Sequence, residues 1–128
     1  MKKITIVAVM AIAAATIVSC GQSPAKVDDD TRYMYDLPHE VRFVNAGEYG
    51  VNTPDMCLGF LCGMLTQNFD ISVVFIDAFM KLVKVPAEEL KPFFDRLKVI
   101  SEAHHVDFVI SASVDDAVAP DFLREYFI

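Results

Sequence analysis

The sequence lacks tryptophan, has few cysteines and carries fewer basic than acidic residues. Its 3 cysteines in 128 residues are too few for the disulfide framework of a small secreted domain. The 11 Lys and Arg against 18 Asp and Glu give a formal charge of −7, which argues against binding to nucleic-acid phosphates or a polybasic membrane contact. No apolar run reaches the roughly 20 residues of a transmembrane helix. Hydrophobic residues still form 54% of the chain, which indicates one small folded domain.

The amino-terminal segment has the pattern of a bacterial lipoprotein signal peptide. Lys2 and Lys3 precede an apolar run over residues 4–18, which is short for a membrane span and typical of a secretory leader. The run ends in IVSC, which resembles the lipobox, whose cysteine is acylated and becomes the mature amino terminus. We predict a signal peptide over residues 1–19, a palmitate-type anchor on Cys20 and a place in the cell envelope. An uncleaved anchor helix and a plain signal peptide are the alternatives.

The next segment is polar and shows no apolar periodicity. Residues 20–38 therefore predict the lipidated cysteine and a flexible tether, with the folded domain over residues 39–128. Within this tether the acidic run DDD at residues 28–30 is most simply a solvated stretch, with a cation site or an export signal as alternatives.

Strand and helix patterns alternate along the folded part. Alternating or β-branched residues predict strands, and capping residues predict helix starts. Strands are expected over residues 40–44, 70–76 and 106–110, and helices begin near Thr53, Pro86 and Pro120. The order β-α-β-α-β-α predicts a small three-layer α/β domain with a parallel sheet. The uncharged stretch 56–65 predicts a first helix that is buried on most of its circumference.

Ligands of parallel α/β sheets bind outside the carboxyl ends of the strands. The polar residues at those ends are therefore the candidate binding residues: Asn45, Glu48, Asn52, Asp77, Ser111 and Ser113. Asp77 is either a base or ligand, or the cap of the following turn. No histidine is placed near Ser111 or Ser113 by the sequence, so a serine nucleophile is unsupported.

The two cysteines of the first helix leave two interpretations. Cys57 and Cys62 stand five residues apart, which puts their Cα atoms about 8–9 Å apart in a helix, beyond the reach of a disulfide. They are either small core residues or a reactive thiol beside the first loop, to which Cys57 is closer. The neighbouring His104 and His105 point about 100° apart on a helix and do not chelate together. No metal and no cofactor are predicted.

Three segments resemble the DsrE/DsrF-like family of sulfur-relay proteins. They are residues 41–69, the stretch DISVVFIDAFMKLVK and the stretch VDFVISASVDDAVA, which together span most of the folded part. Sulfur-carrying members place a cysteine at the end of the third strand, where this chain has Ser111. Because a serine hydroxyl is not ionised at neutral pH and holds no persulfide, the sulfur-transfer chemistry is not carried over. The resemblance also implies oligomers and one or two further strands, which a partner could supply.

Two principal functions follow from these observations. The first is a non-catalytic, lipid-anchored α/β domain that binds a partner or small ligand at the strand carboxyl ends, as an oligomer or with a protein partner. The second is a thiol-dependent sulfur-handling or redox protein that uses Cys57 or Cys62. A metal-binding acidic lipoprotein is a third possibility, testable by metal-dependent thermal stabilisation.

Overall fold

The fold is an α/β arrangement around one parallel sheet. The computed structural model describes residues 4–8, 25–28 and 42–127. The strands are β1 (Ile4–Ala8), β2 (Ala25–Asp28), β3 (Arg42–Asn45), β4 (Val73–Ile76) and β5 (Asp107–Ala112). The α-helices are α1 (Pro54–Gln67), α2 (Phe79–Val83), α3 (Lys91–His104) and α4 (Asp121–Arg124), and 3-10 helices span Ala46–Tyr49 and Ala87–Leu90. The predicted α/β class with a parallel sheet is confirmed.

The sheet has five strands in the order β1-β5-β4-β2-β3, and every neighbouring pair is parallel. One register row crosses all of them, through Ile6, Ile110, Ile76, Val27 and Val44. Because side chains alternate along a strand, Ile6, Ile76 and Ile110, which share this row and are all buried, point to the same face of the sheet.

Two strands come from segments for which the sequence predicts no strand. Ala25–Asp28 lies between β3 and β4, so the prediction of a flexible tether over residues 20–38 is wrong for these four residues. Four alternating residues carry little local signal, and the strand is held by parallel neighbours on both sides. Ile4–Ala8 pairs with β5, although the sequence places it in the leader. Cleavage before Cys20 would therefore remove β1; Cys20 itself lies outside the described residues.

Helices pack on the sheet, and a cluster of aromatic side chains lies in the core between them. The rings of Phe79 and Phe93 lie 4.9 Å apart, those of Phe93 and Phe94 5.3 Å apart, and Tyr126 stacks on Phe94 at 5.4 Å. All three phenylalanines are fully buried. Such pairs add about 0.5–1.5 kcal/mol each beyond the burial of their area. Aromatic residues of α2 and of the apolar face of α3 therefore form one cluster, and Tyr126 packs against it.

Helix α1 begins as its sequence predicts. The Thr53 hydroxyl oxygen accepts a hydrogen bond from the Met56 N–H at 3.1 Å, and Pro54 occupies the first turn. Its buried residues are Cys57, Leu61 and Leu65, which recur every four positions along one side. The prediction that most of its circumference is buried is therefore wrong, because a helix that covers a sheet contributes only one stripe to the core.

The connections around β4 and β5 use left-handed backbone. Ala78 (φ 52°) precedes α2, and His105 (φ 54°) ends α3. The buried Ser101 hydroxyl donates a hydrogen bond to the Val106 carbonyl at 2.6 Å, which ties the end of α3 to the start of β5. No helix within the described ranges has the length and apolar character to cross a membrane.

Candidate functional site

Three of the predicted site residues lie at the carboxyl edge of the sheet, in one row when the register of the paired strands is extended by one residue. Asn45 of β3 is in register with Asp28 of β2, and Ser111 lies one position beyond the last residue of β5 paired with β4. Asp77 follows the last residue of β4, so it falls between the positions of Asp28 and Ser111. We call Asn45, Asp77 and Ser111, with the position of Asp28, the polar row.

The alternation of side chains along each strand determines the face of the sheet on which the polar row lies. Ile76 and Ile110 are buried on the face that forms the core, so Asp77 and Ser111 belong to the opposite face. Strands stand about 4.8 Å apart, which puts the backbone of Asp77 about 5 Å from Ser111 and about 10 Å from Asn45. A small molecule can span this distance.

The topology adds a second feature at the same edge. After β2 the chain continues to β3 on one side, and after β4 it moves to β5 on the other side. The carboxyl ends of β2 and β4 therefore form the point at which the winding direction reverses. Open parallel sheets bind their ligands in the crevice at such a point.

Asp77 organises the turn that leaves β4. Its Oδ1 accepts a hydrogen bond from the Ala78 N–H at 2.9 Å, and Ala78 adopts the left-handed conformation. The half-buried carboxylate thus caps the turn, the structural alternative that the sequence already offered. A left-handed residue other than glycine stores about 1 kcal/mol or more of strain, which makes this turn a defined feature of the edge.

The first loop is organised by its own polar residues. The Asn45 Oδ1 accepts a hydrogen bond from the Gly47 N–H at 3.1 Å, and its Nδ2 donates to Glu48 Oε1 at 3.5 Å. Gly50 ends the 3-10 helix with a φ of 73°, a conformation that favours glycine. Glu48 and the following Asn52 are exposed, so only Asn45 of the three predicted loop residues belongs to the polar row.

Ser111 and Ser113 have no histidine partner on α3. Ser111 is half-buried within β5, and Ser113 is exposed immediately after it. His104 and His105 precede β5, at its opposite end, about 20 Å of strand away from Ser111. His39 lies outside the described residues. The arrangement therefore supplies hydroxyl groups for hydrogen bonding, and neither His104 nor His105 activates them.

The structure separates the two cysteines of α1. Cys57 is completely buried, and burial raises the pKa of its thiol to about 12. The candidate role of Cys57 as an accessible reactive thiol is therefore wrong, because the thiolate is the reactive species and this site excludes it. Cys62 is exposed. The four-residue spacing of Cys57, Leu61 and Leu65 is the sequence signal that could have assigned Cys57 to the core.

A groove between α1 and α3 is a second candidate site. It has a volume of about 390 Å³. It is lined by Asp55, Leu58, Gly59, Cys62, Arg96 and Ile100. Arg96 forms no ion pair with any residue in the described part of the chain. The sequence does not reveal this groove, because Arg96 and Cys62 lie on different helices and only helix packing brings them together.

No cluster of three or more His, Cys, Asp or Glu side chains suited to a metal occurs within residues 4–8, 25–28 and 42–127. Comparisons with family models, with curated proteins and with solved structures found no match for this chain. The DsrE/DsrF-like resemblance therefore stays a prediction.

Proposed function

We propose that the chain is the precursor of a bacterial envelope lipoprotein with a DsrE-like domain, anchored through an acylated Cys20, whose α/β domain binds a small polar ligand and is not an enzyme. The leader pattern of Lys2, Lys3 and the apolar run that ends in IVSC supports the anchor. The polar row at the reversal of the winding direction supports the binding role, and this placement is the observation that carries the proposal.

The chemistry of the row favours ligands that donate hydrogen bonds or carry positive charge. It contains an amide, a carboxylate and a hydroxyl from Asn45, Asp77 and Ser111, with the position of Asp28 beside them. These groups are mostly acceptors, and no basic residue belongs to the row. We therefore favour a cationic or hydroxyl-rich molecule over an anion. The absence of a sulfur-carrying cysteine at Ser111 supports binding without catalysis.

The binding role is tested by amide NMR titration of the full chain carrying Cys20→Ser. Putrescine and glucose serve as the cationic and hydroxyl-rich probes, and succinate as the anionic control of similar size. We expect saturable shifts at Asn45, Asp77, Ala78 and Ser111 with one of the first two probes. Asp77→Asn, which keeps the oxygen that caps the turn, should weaken them. Shifts confined to the α1–α3 groove, or no shifts, would contradict the proposed site.

The anchor is tested by expression of the full chain in a Gram-negative host. The mass of the amino-terminal peptide from the membrane fraction should correspond to an acylated Cys20. The Cys20→Ser variant should lack the acyl mass and leave the membrane fraction. An intact peptide that begins at residue 1 would contradict processing.

A second function, thiol chemistry, is favoured by one observation. Cys62 is exposed and lines the α1–α3 groove together with Arg96, so its thiol is accessible in the folded protein. Treatment of the Cys20→Ser chain with a polysulfide donor should then add one sulfur atom at Cys62, reversibly with reductant. Cys62→Ser must abolish the gain. No gain in the folded protein would remove this candidate.

A further inference from the structure

Strand β1 lies in a slot that has a wall on each side. On one side it pairs with β5 over five residues, from Ile4 with Phe108 to Ala8 with Ala112. On the other side the Ile6 N–H donates a hydrogen bond to the Tyr126 carbonyl at 2.7 Å, and Ile6 forms a parallel bridge with Phe127. The Ile6 side chain is 1% exposed and belongs to the core.

The far wall of this slot is held by contacts that do not involve β1. The ring of Tyr126 stacks on Phe94 of α3 at 5.4 Å, and the buried Leu123 fixes the preceding helix α4 to the core. The Tyr126 N–H also donates to the Leu123 carbonyl at 3.0 Å. The wall therefore has its own support, and the slot has the width of one strand.

The processing proposed above removes β1 from the domain. The mature chain then presents the edge of β5, the carbonyl of Tyr126 and the pocket of Ile6 without their occupant. Residues 108–112 of β5 contain no charge and no proline, the features that protect exposed strand edges. Asp107 begins β5 but precedes the residues that pair with β1. The opposite edge strand β3 begins with Arg42, whose guanidinium donates two hydrogen bonds to the Asp70 carboxylate at 2.6 and 2.9 Å.

We propose that the mature domain binds an extended apolar segment of a partner protein in the slot between β5 and Tyr126–Phe127, where Ile4–Ala8 lies in the uncleaved chain. The inference rests on the proposed cleavage before Cys20. The bound segment runs parallel to β5, places an apolar side chain where Ile6 lies and offers a backbone N–H to the Tyr126 carbonyl. Addition of a strand to a sheet edge in this way is a general mode of peptide recognition.

A partner segment fits this slot better than a second copy of the domain does. Tyr126 and Phe127 close the far side, so the opening admits one isolated strand. In a second copy, β5 is already part of a sheet. The Tyr126–Phe127 segment of that copy lies beside its β5 edge in the same way. The occupant is therefore a segment that is extended or unfolded before it binds.

The experiment starts from the folded full chain, with a protease site inserted after residue 15 so that β1 is cut from the domain after folding. The probe is a fluorescent peptide with the sequence KKITIVAVM, residues 2–10. We expect saturable binding to the cut chain with release of the resident segment, and binding at least about tenfold weaker to the uncut chain. Binding of equal strength to both chains would overturn the proposal, because the slot is filled in the uncut one.

Two peptide variants carry the same added charge at neighbouring positions. The Ile6→Asp peptide should bind at least about tenfold more weakly, because it puts a carboxylate into the core pocket. The matched Thr5→Asp peptide should bind within about threefold of the parent, since Thr5 is only half-buried. Equal binding of the two variants would show that the peptide does not occupy the slot.

Two other results would also overturn the proposal. If the cut domain unfolds when the resident segment leaves, β1 is an integral strand and not an exchangeable occupant. If the cut domain dimerises without peptide, the edge belongs to a second copy. Acylation of Cys20 is measured separately on the membrane-bound protein, so failure of the lipoprotein proposal is distinguishable from failure of the slot.

Discussion

The two cysteines of α1 allow a quantitative test of how this helix is oriented. With Cys20 replaced by serine, Cys57 and Cys62 are the remaining thiols, five residues apart in the same helix. Cys57 is 0% exposed, whereas Cys62 is exposed. Alkylation with iodoacetamide followed by peptide mass analysis measures each thiol in the same sample.

The expected difference follows from ionisation and access. With a pKa of about 12, the Cys57 thiol is ionised to only about 3 parts in 100,000 at pH 7.5. An ordinary thiol with a pKa of about 8.5 is about one-tenth ionised, so ionisation alone slows Cys57 about three-thousand-fold relative to such a thiol. Because Cys57 is also fully buried, the protein must first unfold locally around α1 before the reagent can reach its thiol. We expect Cys62 to be labelled in the folded protein and Cys57 only in denaturant.

Substitution by serine tests the same orientation through stability. Cys57→Ser puts a hydroxyl among apolar side chains and should lower the free energy of unfolding by about 1–3 kcal/mol. The matched Cys62→Ser variant changes an exposed side chain and should stay within about 0.5 kcal/mol of the parent. Urea unfolding of both variants measures the difference. Similar labelling rates or equal stabilities would refute the reasoning, because they would require α1 to present a different face to the core.

Four further predictions each concern a single position and are measured by urea unfolding. The hydrogen bond from Arg42 lowers the pKa of Asp70, so the parent should be more stable than Asp70→Asn above about pH 4. This advantage is lost as the pH falls through the lowered pKa of the folded state, and a difference independent of pH would contradict the ion pair. Gly59→Ala should raise stability by up to about 1 kcal/mol, because a Cβ there meets no atom within 4 Å. Gly50→Ala should lower it, because φ is 73° there; equal effects of the two would contradict the backbone assignment. Thr53→Ala should lower stability by about 1 kcal/mol through loss of the helix cap, and no change would show that the cap is dispensable.

The residues 4–8 illustrate how one sequence pattern serves two physical requirements. A secretory leader needs an uninterrupted apolar run, and a strand within a parallel sheet needs apolar and β-branched residues. The segment ITIVA satisfies both. The sequence alone therefore predicts a leader, while the folded chain uses the same residues as a strand beside β5.

The strand at residues 25–28 was hidden for a different reason. Its pattern is four residues long, and it lies next to an acidic run that is typical of solvated chain. Only pairing with β3 on one side and β4 on the other makes it a strand, and both partners are distant in sequence. No local window contains the information that identifies it.

The sequence by itself determined the elements whose signals are local. The Thr53–Pro54 start of α1, the apolar stripe of α3 and the three strands of the folded part all follow from capping and periodicity, and with them the parallel α/β class. The tertiary structure alone decided the order of the five strands. It also decided the alignment of Asn45, Asp77 and Ser111 in one row, the burial of Cys57 and the exposure of Cys62. These properties depend on which distant segments pair and which face of a helix meets the core, and periodicity shows that a face exists without showing what covers it.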